Sequence, residues 1–152
     1  MREYSNQIPD TRNYYCTTIL YLLHSEIGRN EKGDYMTIEE FYASIGGSYE
    51  EARNRLMNDT LIKRFLEKFL LDQSFSALTS ALNAKDRELG FREAHTLKGV
   101  SANLALAPLT RSSSMLTEKL RGEGEFGDDI NSLYLDVKRD YERIVKLIKL
   151  LS

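Results

Sequence analysis

Arg87-Glu88-Leu89-Gly90-Phe91-Arg92-Glu93-Ala94-His95-Thr96-Leu97-Lys98-Gly99-Val100-Ser101-Ala102-Asn103-Leu104 is the stretch on which the reading of this chain turns. A helix advances about 100° per residue. With His95 set at zero, Gly90, Ala94, Leu97, Val100 and Leu104 gather in an arc of roughly 120° on the opposite side. That is the only apolar stripe the segment has. It predicts a helix over about 86–106 with the stripe in a core and His95 at solvent.

The face around His95 is unusual for a solvated one. Phe91, Arg92, Lys98 and Gly99 lie one turn to either side of it and Ala102 two turns on, on the same face, where Lys, Glu and Gln normally dominate. An internal glycine costs a helix about 1 kcal/mol against alanine, so Gly99 points to a surface that another backbone approaches closely. Phe91 and Ala102 give apolar contact area, and Arg92 and Lys98 give positive charge. A neutral imidazole is a good nucleophile toward phosphorus, and histidine titrates near neutrality. Phosphoryl transfer asks mostly for alignment and charge neutralisation. Lys98, three residues on, shares the face of His95 and can neutralise phosphoryl oxygens. A lone H-x-x-K would read as an ordinary surface pair. The glycine and the opposed apolar arc shift the balance toward a phosphoacceptor.

Outward from this segment, helical signals continue in both directions. Thr37-Ile38-Glu39-Glu40 and Ser48-Tyr49-Glu50-Glu51 each match the S/T-x-x-E capping box. They open short helices at about 37–44 and 49–57, separated by Gly46-Gly47. Asn58-Asp59-Thr60 offers caps for a long helix to about residue 83, with Leu61, Ile62, Phe65, Leu66, Phe69, Leu70, Leu78 and Leu82 at helical steps. Beyond the central helix, Pro108 suits a first helical turn and Gly122 a helix-terminating C′ glycine. Ile130, Leu133, Val137, Tyr141, Ile144, Val145 and Ile148 mark a last helix over about 128–150. The fold class expected is all-α: an antiparallel up-down four-helix bundle with one or two short extra N-terminal helices. Residues 1–35, rich in tyrosine and closing on Gly28–Gly33, read as an N-terminal extension, and 36–152 as the bundle domain.

Bulk properties narrow the function. The chain has 152 residues, 41% hydrophobic and 29% charged, an ordinary globular mixture for one domain. A net charge of −2 gives no basic face for nucleic acid and no polybasic membrane patch. Cys16 is the single cysteine, so no intrachain disulfide can form and a reducing cytoplasm fits. Ile19-Leu20-Tyr21-Leu22-Leu23 is too short to span a bilayer. A cytoplasmic monomer is the expectation.

Ala94-His95-Thr96-Leu97-Lys98-Gly99-Val100-Ser101-Ala102-Asn103-Leu104 resembles the phosphorylation motif of histidine-containing phosphotransfer (HPt) domains, and the likeness extends over about 36–150. The resemblance implies that His95 is the phosphoacceptor and that Lys98 and Gly99 assist charge and access. It also implies a role for Asn103 that is structural rather than chemical, and a bundle-surface position for Glu118. The partners implied are response-regulator receiver domains and hybrid histidine kinases. No cofactor or metal is implied in the chain itself, Mg²⁺ and the catalytic carboxylate belonging to the partner's receiver domain. Two departures from the motif stand out: Val100 where a small residue is common, expected to face the core, and Ala105 in place of a frequent glycine near the helix end.

Other signals are set aside. Gly122-Glu123-Gly124-Glu125-Phe126-Gly127 matches G-x-G-x-x-G, but no strand precedes it and two glutamates would repel phosphate. His24 has no partner at metal-ligand spacing, and Ser112-Ser113-Ser114 reads as an exposed helical stretch. No ATP-binding signature appears, so a phosphocarrier rather than an enzyme is expected. A receiver-docking adaptor that does not turn over phosphate is the alternative. A hydrolase with His95 as general base ranks last, because Glu93 falls toward the core and no nucleophile neighbours the histidine.

Overall fold

The computed structural model describes residues 36–122 and 126–151, so the 1–35 extension with Cys16 and His24 lies outside the described residues. Among the described residues there are seven helices and no named strand: α1 (Ile38–Ile45), α2 (Tyr49–Leu56), α3 (Asp59–Phe69), α4 (Ser74–Asn83), α5 (Arg87–Asn103), α6 (Ala107–Arg121) and α7 (Asp128–Ile148). A single parallel bridge joins Met36 to Leu151 beside the two ends of the helical array. No helix of the described part is long and apolar enough to cross a membrane.

The caps explain most helix starts. Thr37 and Glu40 exchange hydrogen bonds in a full capping box, at 3.2 and 2.9 Å. The second expected box is only half made. The Ser48 hydroxyl accepts from the Glu51 amide at 3.1 Å, but the Glu51 carboxylate turns to Arg55 at 2.7 Å instead of reaching back. Asn58 caps α3 and Asp86 caps α5 through their side-chain oxygens.

The long helix expected to run to residue 83 is two helices. Leu70, Leu71 and Asp72 donate to carbonyls three residues back, tightening and ending α3. The Asp72 carboxylate then accepts from both the amide and the hydroxyl of Ser74, opening α4. Each half buries its own short stripe: Ile62, Leu66 and Phe69 on α3, and Ser74, Leu78 and Ala81 on α4.

α5 lies between α4 and α6, and α6 packs in turn on α7. Phe75 of α4 stacks on Tyr134 and Tyr141 of α7, closing the ring of helices from the other side. α1 sits against α2, α3 and α7. Its Tyr42, fully buried, donates its hydroxyl proton to the Leu104 carbonyl at 2.8 Å and so ties down the end of α5. Burial holds the Tyr42 hydroxyl protonated far above the ordinary tyrosine range. Tyr42→Phe leaves a buried carbonyl without its donor and should destabilise the fold by about 1–2 kcal/mol in urea unfolding. The tyrosine's contribution is fully present below about pH 10, where both states keep the proton. It is lost as pH rises further, because the unfolded chain ionises there and the fold does not. Wild-type stability should therefore decline above that pH more steeply than that of Tyr42→Phe; parallel profiles would contradict this role.

The turn after α5 places Ala105 at φ +52°, a left-handed conformation that favours glycine. The Leu106 amide donates to Ser101 O at 2.9 Å across this turn, so the helix ends at Asn103 rather than extending toward Pro108. Pro108 falls in the first turn of α6, as expected.

Two expectations about α6 are corrected. Ser112 and Ser113 are buried rather than exposed, and only Ser114 is half-buried. The inner face of α6 tolerates hydroxyls because Ser112 and Thr117 donate back to carbonyls of their own helix. The Ser113 oxygen, among the described residues, is buried with no hydrogen-bond partner. Ser113→Ala should therefore raise stability by about 1 kcal/mol, removing an orphaned hydroxyl and adding helix propensity. A loss of stability on denaturation would contradict that account. Gly122 is not a left-handed C′ residue: its φ is −70°. The terminal carbonyls of α6 are met instead by the Arg87 guanidinium from α5, at 3.3 Å to Lys119, 3.4 Å to Leu120 and 2.9 Å to Gly122. Lys119 also pairs with Asp129 at the start of α7, which holds that carboxyl below its usual range.

Candidate functional site

α5 delivers the arrangement that its sequence implies. Gly90, Ala94, Leu97 and Leu104 are buried, and His95 is exposed on the far side. The stripe is not quite the one expected. Val100 is half-buried at its edge, and fully buried Ser101 takes the inner place, its hydroxyl donating to Lys98 O at 3.0 Å. Ser101 escapes an apolar-periodicity reading because it is polar by type, yet it is small and bonded within its own helix.

Around His95 the structure brings together every residue named for the face. The Phe91 ring lies roughly parallel to the imidazole, 6.1 Å between centroids and 19° between planes. Arg92 is exposed and engages Glu93 at 3.3 Å. Lys98 is half-buried and, among the described residues, pairs with no carboxylate. On the helical wheel Arg92 and Lys98 stand about 60° to either side of His95, so a phosphoryl group there would meet a cation on each flank. A Cβ added at Gly99 would meet nothing within 4 Å. The glycine therefore solves no internal packing problem and leaves open space next to the imidazole. Ala102 is half-buried and forms part of the wall of a groove of about 440 Å³ between α5, α6 and α2.

A family model described as Hpt domain matches residues 63–144, more than half of the chain. The chain belongs to the Hpt domain family. Hpt domains are phosphocarriers of two-component phosphorelays, helical bundles that interact with receiver domains and histidine kinases. The match runs from within α3 into α7 and includes the whole of α5 with His95 at its centre. Comparisons with curated proteins and with solved structures each found no match.

The structure also adds Arg121 to this Hpt face. Its guanidinium lies 5.7 Å from the centre of the Phe91 ring, reaching across from α6. Nothing in the linear sequence marks it, because its relevance depends on which helix neighbours α5. Among the described residues no carboxylate bonds His95, and no cluster of three or more His, Cys, Asp or Glu is placed to hold a metal.

Proposed function

We propose that His95 accepts a phosphoryl group from the aspartyl phosphate of a receiver domain and returns it to another. The observation that carries this reading is the open, cation-flanked imidazole in the middle of α5, beside a glycine that the fold itself does not require. An unprotonated ring nitrogen attacks phosphorus as the acyl–phosphate P–O bond breaks. The electron pair leaves on the aspartate carboxylate, and the other ring nitrogen sheds its proton to solvent. Lys98 and Arg92 offset charge on the phosphoryl oxygens. The Mg²⁺ and acidic residues that receiver chemistry needs belong to the partner. The up-down antiparallel course of the bundle helices is part of the same reading, supported by the short connections between them.

The test is phosphotransfer profiling of the full chain against a panel of phosphorylated receiver domains. The reading expects acid-labile label on this chain from at least one receiver. It expects Lys98→Ala to slow that transfer on the order of tenfold, as the loss of one charge-assisted contact would. Receiver binding without any phosphohistidine would select a docking adaptor instead.

A further inference from the structure

The surface beside His95 is not symmetric. On the wheel, Phe91, Lys98 and Ala102 are all displaced to one side of the imidazole, and that is the side on which α6 runs. Early α5 meets late α6 where Arg121 covers Phe91, and late α5 meets early α6 where Ala102 and Arg111 share the 440 Å³ groove. A second hollow of about 350 Å³ lies between Phe91, Leu120 and Arg121. Met115, on the wall of the first groove, stands 54% exposed on an otherwise polar helix surface. Arg111, like Lys98, pairs with no carboxylate among the described residues.

Size decides whether a partner touches this row. A specific interface covers about 800 Å² on each side, a patch roughly 30 Å across, whereas neighbouring helices lie about 8–10 Å apart. A receiver centred on His95 must cover the adjacent helices as well. On the other flank it meets Gln73, Ser76, Ser80 and Asn83, all uncharged, and at the end of α3 it meets Phe65 and Lys68 beside a hollow of about 410 Å³. On the α6 side it meets Arg111, the exposed Met115 on the wall of the first groove, and Arg121, whose guanidinium also pairs with Glu118 at 3.1 Å.

We propose that Arg111, Met115 and Arg121 form the strip by which this chain selects its receiver domain. The partner that fits is a receiver surface with an apolar side chain for the groove at Met115 and carboxylates opposite the arginines. This rests on the phosphoacceptor reading of His95 and adds the determinant of partner choice.

The experiment compares Met115→Glu and Arg111→Glu in the full chain with Ser80→Glu, an equal charge change on the α4 flank. Each is assayed for phosphotransfer from the receiver panel, and for labelling by phosphoramidate, a small donor whose P–N bond breaks to release ammonia as the phosphoryl group passes to the ring nitrogen. The α6 variants should lose at least tenfold in kcat/KM through KM and change the order of preferred receivers. Phosphoramidate labelling should be unchanged, and Ser80→Glu should alter transfer less than twofold. Unaltered receiver kinetics in Met115→Glu would overturn the proposal, as would an equal loss in Ser80→Glu. A wild-type dimer that Met115→Glu dissolves would assign the strip to self-association and overturn it too. Failure of phosphoramidate to label the wild type would be distinct from these outcomes, since it removes the phosphoacceptor reading itself.

Discussion

His95→Gln should reduce phosphoryl acceptance from every receiver to background while leaving the protein folded. The substitution replaces an exposed side chain by one of at least equal helix propensity, and exposed changes of this kind stay within about 0.5 kcal/mol. What it removes is the only nucleophilic nitrogen on the outer face of α5. Glutamine's amide cannot form the P–N bond, and neither Lys98 nor Arg92 can replace it while protonated. Circular dichroism and the melting midpoint should match the wild type as transfer disappears. Transfer that persists at a tenth of the original rate or more would show that the acceptor is elsewhere.

Gly99→Ala separates stability from function, because the two should move in opposite directions. The added methyl meets nothing within 4 Å, and alanine is the better helix former. The variant should gain about 1 kcal/mol and melt several degrees higher. If a receiver backbone approaches at this position, the same methyl will hold it away from His95. A displacement of the reacting atoms by a fraction of an ångström to an ångström is severe for an in-line reaction. Receiver-dependent transfer should fall on the order of tenfold or more, with phosphoramidate labelling preserved. A stabilised protein that transfers at the wild-type rate would mean that no partner comes close to this glycine.

Much of this arrangement was legible in the chain, for identifiable reasons. The helix of His95 announces itself through the buried arc at Gly90, Ala94, Leu97 and Leu104 and the absence of any second apolar face. Its outer residues follow from helical geometry alone. What sequence reading missed depends on neighbours. The α3–α4 break is set by the Asp72–Ser74 contact, a local signal overshadowed by apolar residues on both sides of it. Ser101, Ser112 and Ser113 are interior because helix–helix packing selected small residues, and hydrophobic periodicity does not register a buried serine. Gly122 looked like a helix terminator, yet the work falls to Arg87, thirty-five residues earlier in the chain. Arg121 and Tyr42 act on α5 from other helices, and no spacing within one segment could reveal them.

The most direct measurement is the position of the phosphoryl group itself. The full-length chain would be phosphorylated by a receiver domain, digested at neutral pH and analysed by peptide mass spectrometry under conditions that preserve phosphohistidine. The account predicts one acid-labile phosphoryl group, located on His95 within the peptide from α5. Phosphate on His24, on a serine of α6, or on no residue of a chain that nevertheless binds the receiver would contradict it.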